Sequence, residues 1–319
     1  GVAVKEFYAD CVASLPRLLD NTTLEKVVVA NPLLTSISGW ACSNTAKLTS
    51  DISDIIAPET KTIGQHAFKG SGVKGKLTLT AVSSIGDSAF HSSKIEEVDI
   101  ESDNLTSLGS VFYQCSMLTN ATISCPSLVS LSGTFGYCGA KLKRVSLNCP
   151  ALATIGVYTF TNNGGLTVDI QDVCPSSVTS IGLYAFHGCG VTGRLSLPNL
   201  TFLGDNDFQQ CGVKEVELGG SLETIPNACF YNCANLTNVT LNCPKVTTIA
   251  NQVFQYSDKL KQLTLTCQAL TSVTANAFAN GGSPLKLSVK NGPWVVSMTD
   301  YTAAILDNIF ISRSAMTSA

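Results

Sequence analysis

The sequence predicts an α/β solenoid: a stack of short coils, each giving one strand to a long parallel sheet, with tight or 3-10 turns on the opposite wall and a helical cap at each end. Three observations predict it. Ten of the thirteen phenylalanines recur in one frame, at Phe68, Phe90, Phe112, Phe135, Phe160, Phe186, Phe208, Phe230, Phe254 and Phe278, between 22 and 26 residues apart. An aliphatic residue stands five positions ahead of most of them, at Ile63, Ile85, Ile155, Ile181, Leu203, Ile225, Ile249 and Val273, and four ahead at Leu108 and Leu131. About nine residues after each ring comes an apolar–polar–apolar triplet, such as Leu77-Thr-Leu79, Val98-Asp-Ile100, Val216-Glu-Leu218 and Leu263-Thr-Leu265.

Along the chain, residues 1–23 are expected to cap the first coil. Val4, Phe7, Cys11, Leu15 and Leu18 fall at helical spacing, and Pro16 would kink or restart that helix. Residues 24–290 are expected to form about eleven coils. The first is degenerate. Trp40 stands in its ring slot, and Lys47-Leu-Thr-Ser-Asp-Ile52 would be its strand, since it aligns with Gly165-Leu-Thr-Val-Asp-Ile170. In every coil the triplet has period two, so it reads as a strand with one face inward. The Ile-Gly-x-x-Ala-Phe segment is too short for a helix. It reads as a tight or 3-10 turn, with residues such as Gly64 and Gly86 easing the backbone. The ring then points inward and stacks on the ring of the next coil. Residues 291–319 leave the frame, and a short helix over Thr299–Phe310, N-capped by Thr299, is expected to close the far end.

The repeat over 176–197, Ser-Ser-Val-Thr-Ser-Ile-Gly-Leu-Tyr-Ala-Phe-His-Gly-Cys-Gly-Val-Thr-Gly-Arg-Leu-Ser-Leu, resembles the BspA-like (Treponema pallidum-type) leucine-rich repeat. The resemblance runs from about Leu24 to Lys290, and its specificity comes from recurrence. The proline that follows the strand in that family is kept at Pro198 but replaced by Asn-Cys-Pro at 148–150 and 242–244. The resemblance implies a right-handed leucine-rich-repeat solenoid, and an extracellular or cell-surface protein, often bacterial, used in adhesion and protein binding. A host extracellular-matrix or cell-surface protein would be its partner. A structural spacer presenting another domain, or a glycan-binding module, are the alternatives.

Composition narrows the classes. Charged residues are 13% of the chain and the net charge is −3, against a usual charged share of about 25%. With no basic stripe, nucleic-acid binding has no support. No run of about 20 apolar residues is present, so any membrane attachment would need an anchor outside this chain. The start at Gly1 fits a trimmed mature chain or an expression fragment, and either leaves room for a targeting segment ahead of it. No Walker-type loop and no paired C-x₂-C ligands occur, so no cofactor or metal is expected. His66, His91 and His187 fall at variable frame positions far from any nucleophile. No enzymatic activity is expected.

Most of the thirteen cysteines are locked to the frame. Cys115, Cys138, Cys189, Cys211 and Cys233 stand three residues after a ring, where other coils put Ser71, Ser93, Asn163, Ser257 or Gly281. Cys125, Cys149, Cys243 and Cys267 follow the strand. Replacement by small residues predicts buried, reduced thiols. What remains for function is the outward face of the strands. Asp99, Thr122, Asp169, Glu217 and Thr240 come from the strand-centre column, and Arg144 and Arg194 from the column beside it. These seven residues are the candidate binding face, with the two arginines as its expected anchors.

Overall fold

The apolar–polar–apolar triplets form strands because alternate side chains can leave water only if the next coil lies alongside. The structure, a computed structural model, describes residues 4–10, 12–18, 23–29, 33–274, 276–278, 285–289, 297–298 and 309–313. The chain packs as two compact units, Gly1–Leu152 with Tyr158–Thr167, and Ala153–Val157 with Val168–Ala319. Together they carry a parallel-sheet β-solenoid of about 11 turns.

In the first unit Lys76–Leu79, Glu97–Glu101, Asn120–Ser124 and Arg144–Asn148 form one parallel sheet. Leu77, Val98, Ala121 and Val145 follow each other in register, one per coil, and all are buried. The second unit repeats the pattern with Arg194–Leu200, Glu215–Gly220, Asn238–Asn242, Gln262–Leu265, Leu285–Val289 and Ile309–Arg313.

The opposite wall carries tight turns, one of the two expected forms, as over 65–70 and 87–92. The aliphatic ahead of them lies in a two-residue strand, which the repeat frame does not predict. Ser14–Leu15, Ser36–Ile37, Thr62–Ile63 and Ser84–Ile85 pair in parallel in the first unit. Thr224–Ile225, Thr248–Ile249, Ser272–Val273 and Ser297–Met298 do so in the second. The glycines here serve close approach instead of unusual torsions. Gly64 has no positive φ, yet a Cβ on it would lie 2.2 Å from the Gly39 amide nitrogen one coil back.

The rings behave as the frame predicts. In the first unit Phe68, Phe90, Phe112, Phe135 and Phe160 stack with centroids 5.1–5.8 Å apart and planes within 18°. In the second, Phe186, Phe208, Phe230, Phe254 and Phe278 stack at 5.2–5.7 Å and within 13°. Such pairs add roughly 0.5–1.5 kcal/mol each beyond the area they bury. The first coil corrects one expectation. Cys42, fully buried, holds the ring slot, with Ala41 before it and Ile37 five residues ahead. The Cys42 amide donates to the Ala67 carbonyl, the bond that Phe68 makes to Ala89 one coil later. Trp40 stands two residues ahead of that slot, at the left-handed position that His66 and Ser88 take in the next coils, and is partly exposed, with φ at 62°.

The helical caps, and with them the α/β label, are not found. Among the described residues the helical segments are three short 3-10 turns, Ile52–Asp54, Gly139–Lys141 and Ile170–Asp172. At the N-terminal end Glu6–Tyr8 pairs in parallel with Lys26–Val28, and Leu15 is buried in the narrow sheet beside Ile37. A helix would satisfy only its own backbone, whereas a strand also satisfies the open edge of the next coil. Near the other end Ile309–Arg313 extends the ladder beside Leu285–Val289. The remainder of the expected Thr299–Phe310 helix lies outside the described residues, as does Cys11.

Two expected strands are also corrected. The segments ending at Ile52 and Ile170 are equivalent, but each keeps a single bridge, Asp51 to Lys74 and Asp169 to Thr192, and then turns into a 3-10 segment. The turn is set by its aspartate. Asp51 accepts from the Ser53 amide at 3.0 Å, and Asp169 from the Gln171 amide at 3.0 Å. In the following coil Gly75 (φ 83°) and Gly193 (φ 90°) sit against these carboxylates, where a Cβ would come within 2.0 and 2.1 Å of Oδ2.

The cysteine column has a polar purpose. Cys115 Sγ donates to the Phe90 carbonyl at 3.0 Å, Cys138 Sγ to Phe112 at 3.2 Å and Cys233 Sγ to Phe208 at 3.0 Å. Asn163 Nδ2 and Ser257 Oγ make the same bond to Phe135 and Phe230, each at 2.8 Å. In these five coils the slot holds a small side chain that donates, and a disulfide would remove a cysteine's donor. All twelve described cysteines are buried and unbridged, and burial pushes the Cys115, Cys189 and Cys233 thiols up to about 12.

Asp207 occupies the slot just ahead of Phe208, where Ala67, Ala89 and Ala185 stand in other coils. It is fully buried and accepts from the Gly204 amide at 2.6 Å and the Ala185 amide at 3.3 Å. Burial holds its carboxyl well above the usual carboxylate range, against the pull of those two amides. A raised acid binds its proton more tightly in the folded state. Its favourable contribution is therefore complete below the unfolded pKa near 4 and is lost as pH rises through the folded value.

Two outcomes follow from these buried groups. A thiol-disulfide reagent at pH 8 will leave the twelve described cysteines of the folded protein unmodified and will titrate all of them in guanidinium. Few titratable thiols under denaturing conditions would mean that the columns are bridged. Asp207→Ala, which installs the residue this slot takes in other coils, will change stability in denaturant melts more favourably at pH 7 than at pH 4. An equal effect at both pH values would contradict the buried, raised carboxyl.

Candidate functional site

The strand pattern places the expected binding face as two separate patches, one in each unit. In the first, Asp99 and Thr122 are register neighbours in the strand-centre column, while Arg144 stands in the next column opposite Asn120. In the second, Glu217 and Thr240 are register neighbours, and Arg194 stands opposite Glu215. Asp169 does not join them, because its carboxylate caps the 3-10 turn. The patches carry one ion pair each: Lys76 Nζ to Asp99 Oδ2 at 3.1 Å, and Arg194 to Glu217. Both pairs are open to water, so each contributes at most about 1 kcal/mol. Arg144 and Thr122 are exposed. The patches are polar, flat and without an aromatic anchor.

A second surface in the first unit was not legible in the frame. His91, Tyr113, Tyr137 and Tyr158 form a continuous row on the turns that carry the rings. Their centroids are 5.3, 5.3 and 6.5 Å apart, and the planes meet at 74°, 52° and 56°. Tyr137 and Tyr158 remain 39% and 38% exposed, which leaves them available to a partner. His91 Nε2 lies 3.0 Å from Gln114 Oε1 on the neighbouring coil. Burial, together with the phenols of Tyr137 and Tyr158, raises the Tyr113 pKa. The row depends on Gly136, because a Cβ there would lie 2.8 Å from the Tyr113 ring. The three tyrosines follow or precede their own Phe by one, two and minus two positions. A search at fixed offset therefore misses them; the left-handed turn residues, Tyr137 (φ 59°) and Tyr158 (φ 58°), bring them into line. Nearer the N-terminal end, Trp40 packs on His66 at 4.3 Å with Arg17 over its ring at 5.9 Å. Burial and Lys69 lower the His66 pKa.

His91 serves the aromatic row, and His187 packs edge-on against Tyr184 at 5.7 Å. Among the described residues no three His, Cys, Asp or Glu side chains converge as a metal site, and no helix is long and apolar enough to cross a membrane.

The chain matches the family model of the BspA type leucine rich repeat region, in six copies, over residues 35–167 and 169–283. No curated protein matches it in a sequence comparison. A solved leucine-rich repeat protein from Bacteroides ovatus ATCC 8483 is 22% identical, with 91% of this chain and 74% of that chain covered, at a TM-score of 0.69. One from Eubacterium ventriosum ATCC 27560 is 21% identical over 87% of this chain and 83% of that chain, at a TM-score of 0.47. A leucine rich cell surface protein from Faecalibacterium prausnitzii A2-165 is 17% identical over 99% of this chain and 92% of that chain, at 0.40. The first of the three supports the fold, and at that identity the fold alone.

Proposed function

The chain belongs to the BspA-type leucine-rich-repeat family, and from that premise we infer that it is a non-catalytic, surface-exposed or secreted protein that binds another protein through the aromatic row of its first unit. The observation that carries this reading is the exposed run of Tyr113, Tyr137 and Tyr158 with His91 at its end. Interface anchors are enriched in Tyr, Trp and Arg, which bury large area at little cost in side-chain entropy. The rings meet at steep angles, so they offer edges and clefts to a protein surface and not the flat platform on which a sugar ring stacks. The outward patches around Arg144 and Arg194 would form the polar surroundings of other contacts, not their centre. The extracellular setting and a host matrix or cell-surface partner rest on the family resemblance.

The test is a binding panel of immobilised extracellular-matrix and cell-surface proteins read by interferometry. The triple variant Tyr113→Ser, Tyr137→Ser, Tyr158→Ser is expected to weaken whichever interaction the native chain shows by at least tenfold, with circular dichroism unchanged. Charge reversal at Arg144 and Arg194 is expected to change affinity less than threefold. The opposite ranking would move the site to the strand face, and no binding across the panel would favour a spacer.

A further inference from the structure

In the first unit an extended main chain lacks a partner where the long-strand ladder ends. Lys76–Leu79 is an edge strand of its sheet. In a parallel strand, alternate residues present their N–H and C=O groups to opposite sides. Gly75 faces the following coil, since its carbonyl accepts from the Glu97 amide at 3.3 Å, and Leu77 and Leu79 share that side. Lys74 faces the preceding coil: its amide donates to Ser50 at 3.3 Å, and its carbonyl accepts from Ile52 at 2.9 Å. Farther on, the Thr80 amide donates back to Pro58 at 2.8 Å. Lys76 and Thr78 lie between these anchors on the same side, but there the preceding coil has turned away into Ile52–Asp54. Among the described residues no hydrogen bond reaches their backbone N–H and C=O groups from that coil.

The opening is a groove of about 460 Å³. Its lining includes buried Val29, Ile52 and Ile56 beneath, and Ser53, Glu59 and Lys76 toward water. The second unit repeats the device 118 residues later, with Asp169, Ile170, Gly193 and Arg194 for Asp51, Ile52, Gly75 and Lys76. Arg194–Leu200 is again an edge strand. Thr192 donates to Val168 at 3.0 Å and accepts from Ile170 at 2.8 Å, and no backbone bond reaches Arg194 or Ser196 from that coil among the described residues. An aspartate that turns the chain away, and a glycine that makes room for it, recur at the same point. Such recurrence marks a built feature of the coil.

We propose that each gap takes a short extended peptide as an added strand. A row of main-chain donors and acceptors repeating about every 6.6 Å, above an apolar floor, is matched by another extended main chain. In the first unit the gap between the two anchored ends accommodates about three residues at a rise of ~3.3 Å each. Alternate side chains of the peptide point down to Ile52 and Ile56, so a small aliphatic residue fits there. The side chain between them points outward beside Lys76, or beside Arg194 in the second unit, where an acid would share the cation with Asp99 or Glu217. The peptide is thus of the form aliphatic–acidic–aliphatic, the pattern of Val98-Asp-Ile100 and Val216-Glu-Leu218, whose acids pair with these same two cations. The proposal does not draw on the aromatic row.

The probe is the peptide acetyl-Thr-Val-Asp-Val-Thr-amide, titrated calorimetrically into the full chain and followed by residue-resolved amide exchange. In the free protein the Lys76 and Thr78 amides are expected to exchange fast and those of Leu77 and Leu79 slowly. Saturating peptide will slow Lys76 and Thr78 by at least tenfold. Two peptides are expected per chain, one with Thr78→Pro and none with Thr78→Pro and Ser196→Pro together; each proline removes a donor that the existing ladder does not use. Should Thr78→Pro lower the melting temperature, Ser53→Trp blocks the groove mouth from an exposed position and will abolish the first site. Tyr137→Ala with Tyr158→Ala will leave peptide binding unchanged. Equal binding by the peptide N-methylated at its valines and aspartate, no binding at millimolar peptide, or Lys76 and Thr78 amides already protected in the free protein each overturn the proposal. A single site lost with Thr78→Pro alone overturns it for the second unit.

Discussion

No coil of this chain can bury its own core, and every other property of the structure depends on that. A coil of some 22 to 26 residues has a short strand on one wall, a shorter one on the other and a single ring between them. Its apolar atoms leave water only when the same atoms of the neighbouring coil lie against them. The spacing between coils is set by the backbone ladder, near 4.8 Å. Phenylalanine suits that spacing because its ring is thin: offset rings meet at 5.1–5.8 Å without spreading the sheet.

The same constraint assigns the residues that look chemically active. The ring carbonyls of Phe112, Phe135 and Phe230 accept from Cys138, Asn163 and Ser257, which share one slot. The described thiols are buried and serve packing there. Asp207 is the cost-bearing exception, a carboxyl in a slot that otherwise takes small neutral side chains. With the interior committed to packing, recognition is left to surfaces. In the first unit these are the polar strand face, the tyrosine row and the groove at Lys76 and Thr78; in the second they are the strand face and the gap at Arg194 and Ser196.

Much of this was legible in the sequence. The ring column, the strand triplets and the outward positions of Asp99, Thr122, Arg144, Arg194, Glu217 and Thr240 all follow from a period and an alternation. The misses share a physical origin, since each depends on what a neighbouring coil does. The residues around Phe7 have helical spacing, yet the open edge of Lys26–Val28 claims them as a strand. Asp169 keeps strand parity but spends its carboxylate on the Gln171 amide. The tyrosine row needs left-handed torsions at Tyr137 and Tyr158 that no side-chain period encodes. Gly64 looked like a torsional device and is instead a place where two backbones nearly touch.

The central claim is that coils hold one another through the ring column. Equilibrium denaturation of Phe112→Ala, in the middle of the first unit's stack, tests it most directly, with Lys94→Ala, an exposed residue of the same unit, as the surface control. The account predicts a loss of about 3–5 kcal/mol for Phe112→Ala, as for a fully buried aromatic, and a change within about 0.5 kcal/mol for Lys94→Ala. A loss below about 1 kcal/mol for Phe112→Ala, or equal losses for the two variants, would contradict it.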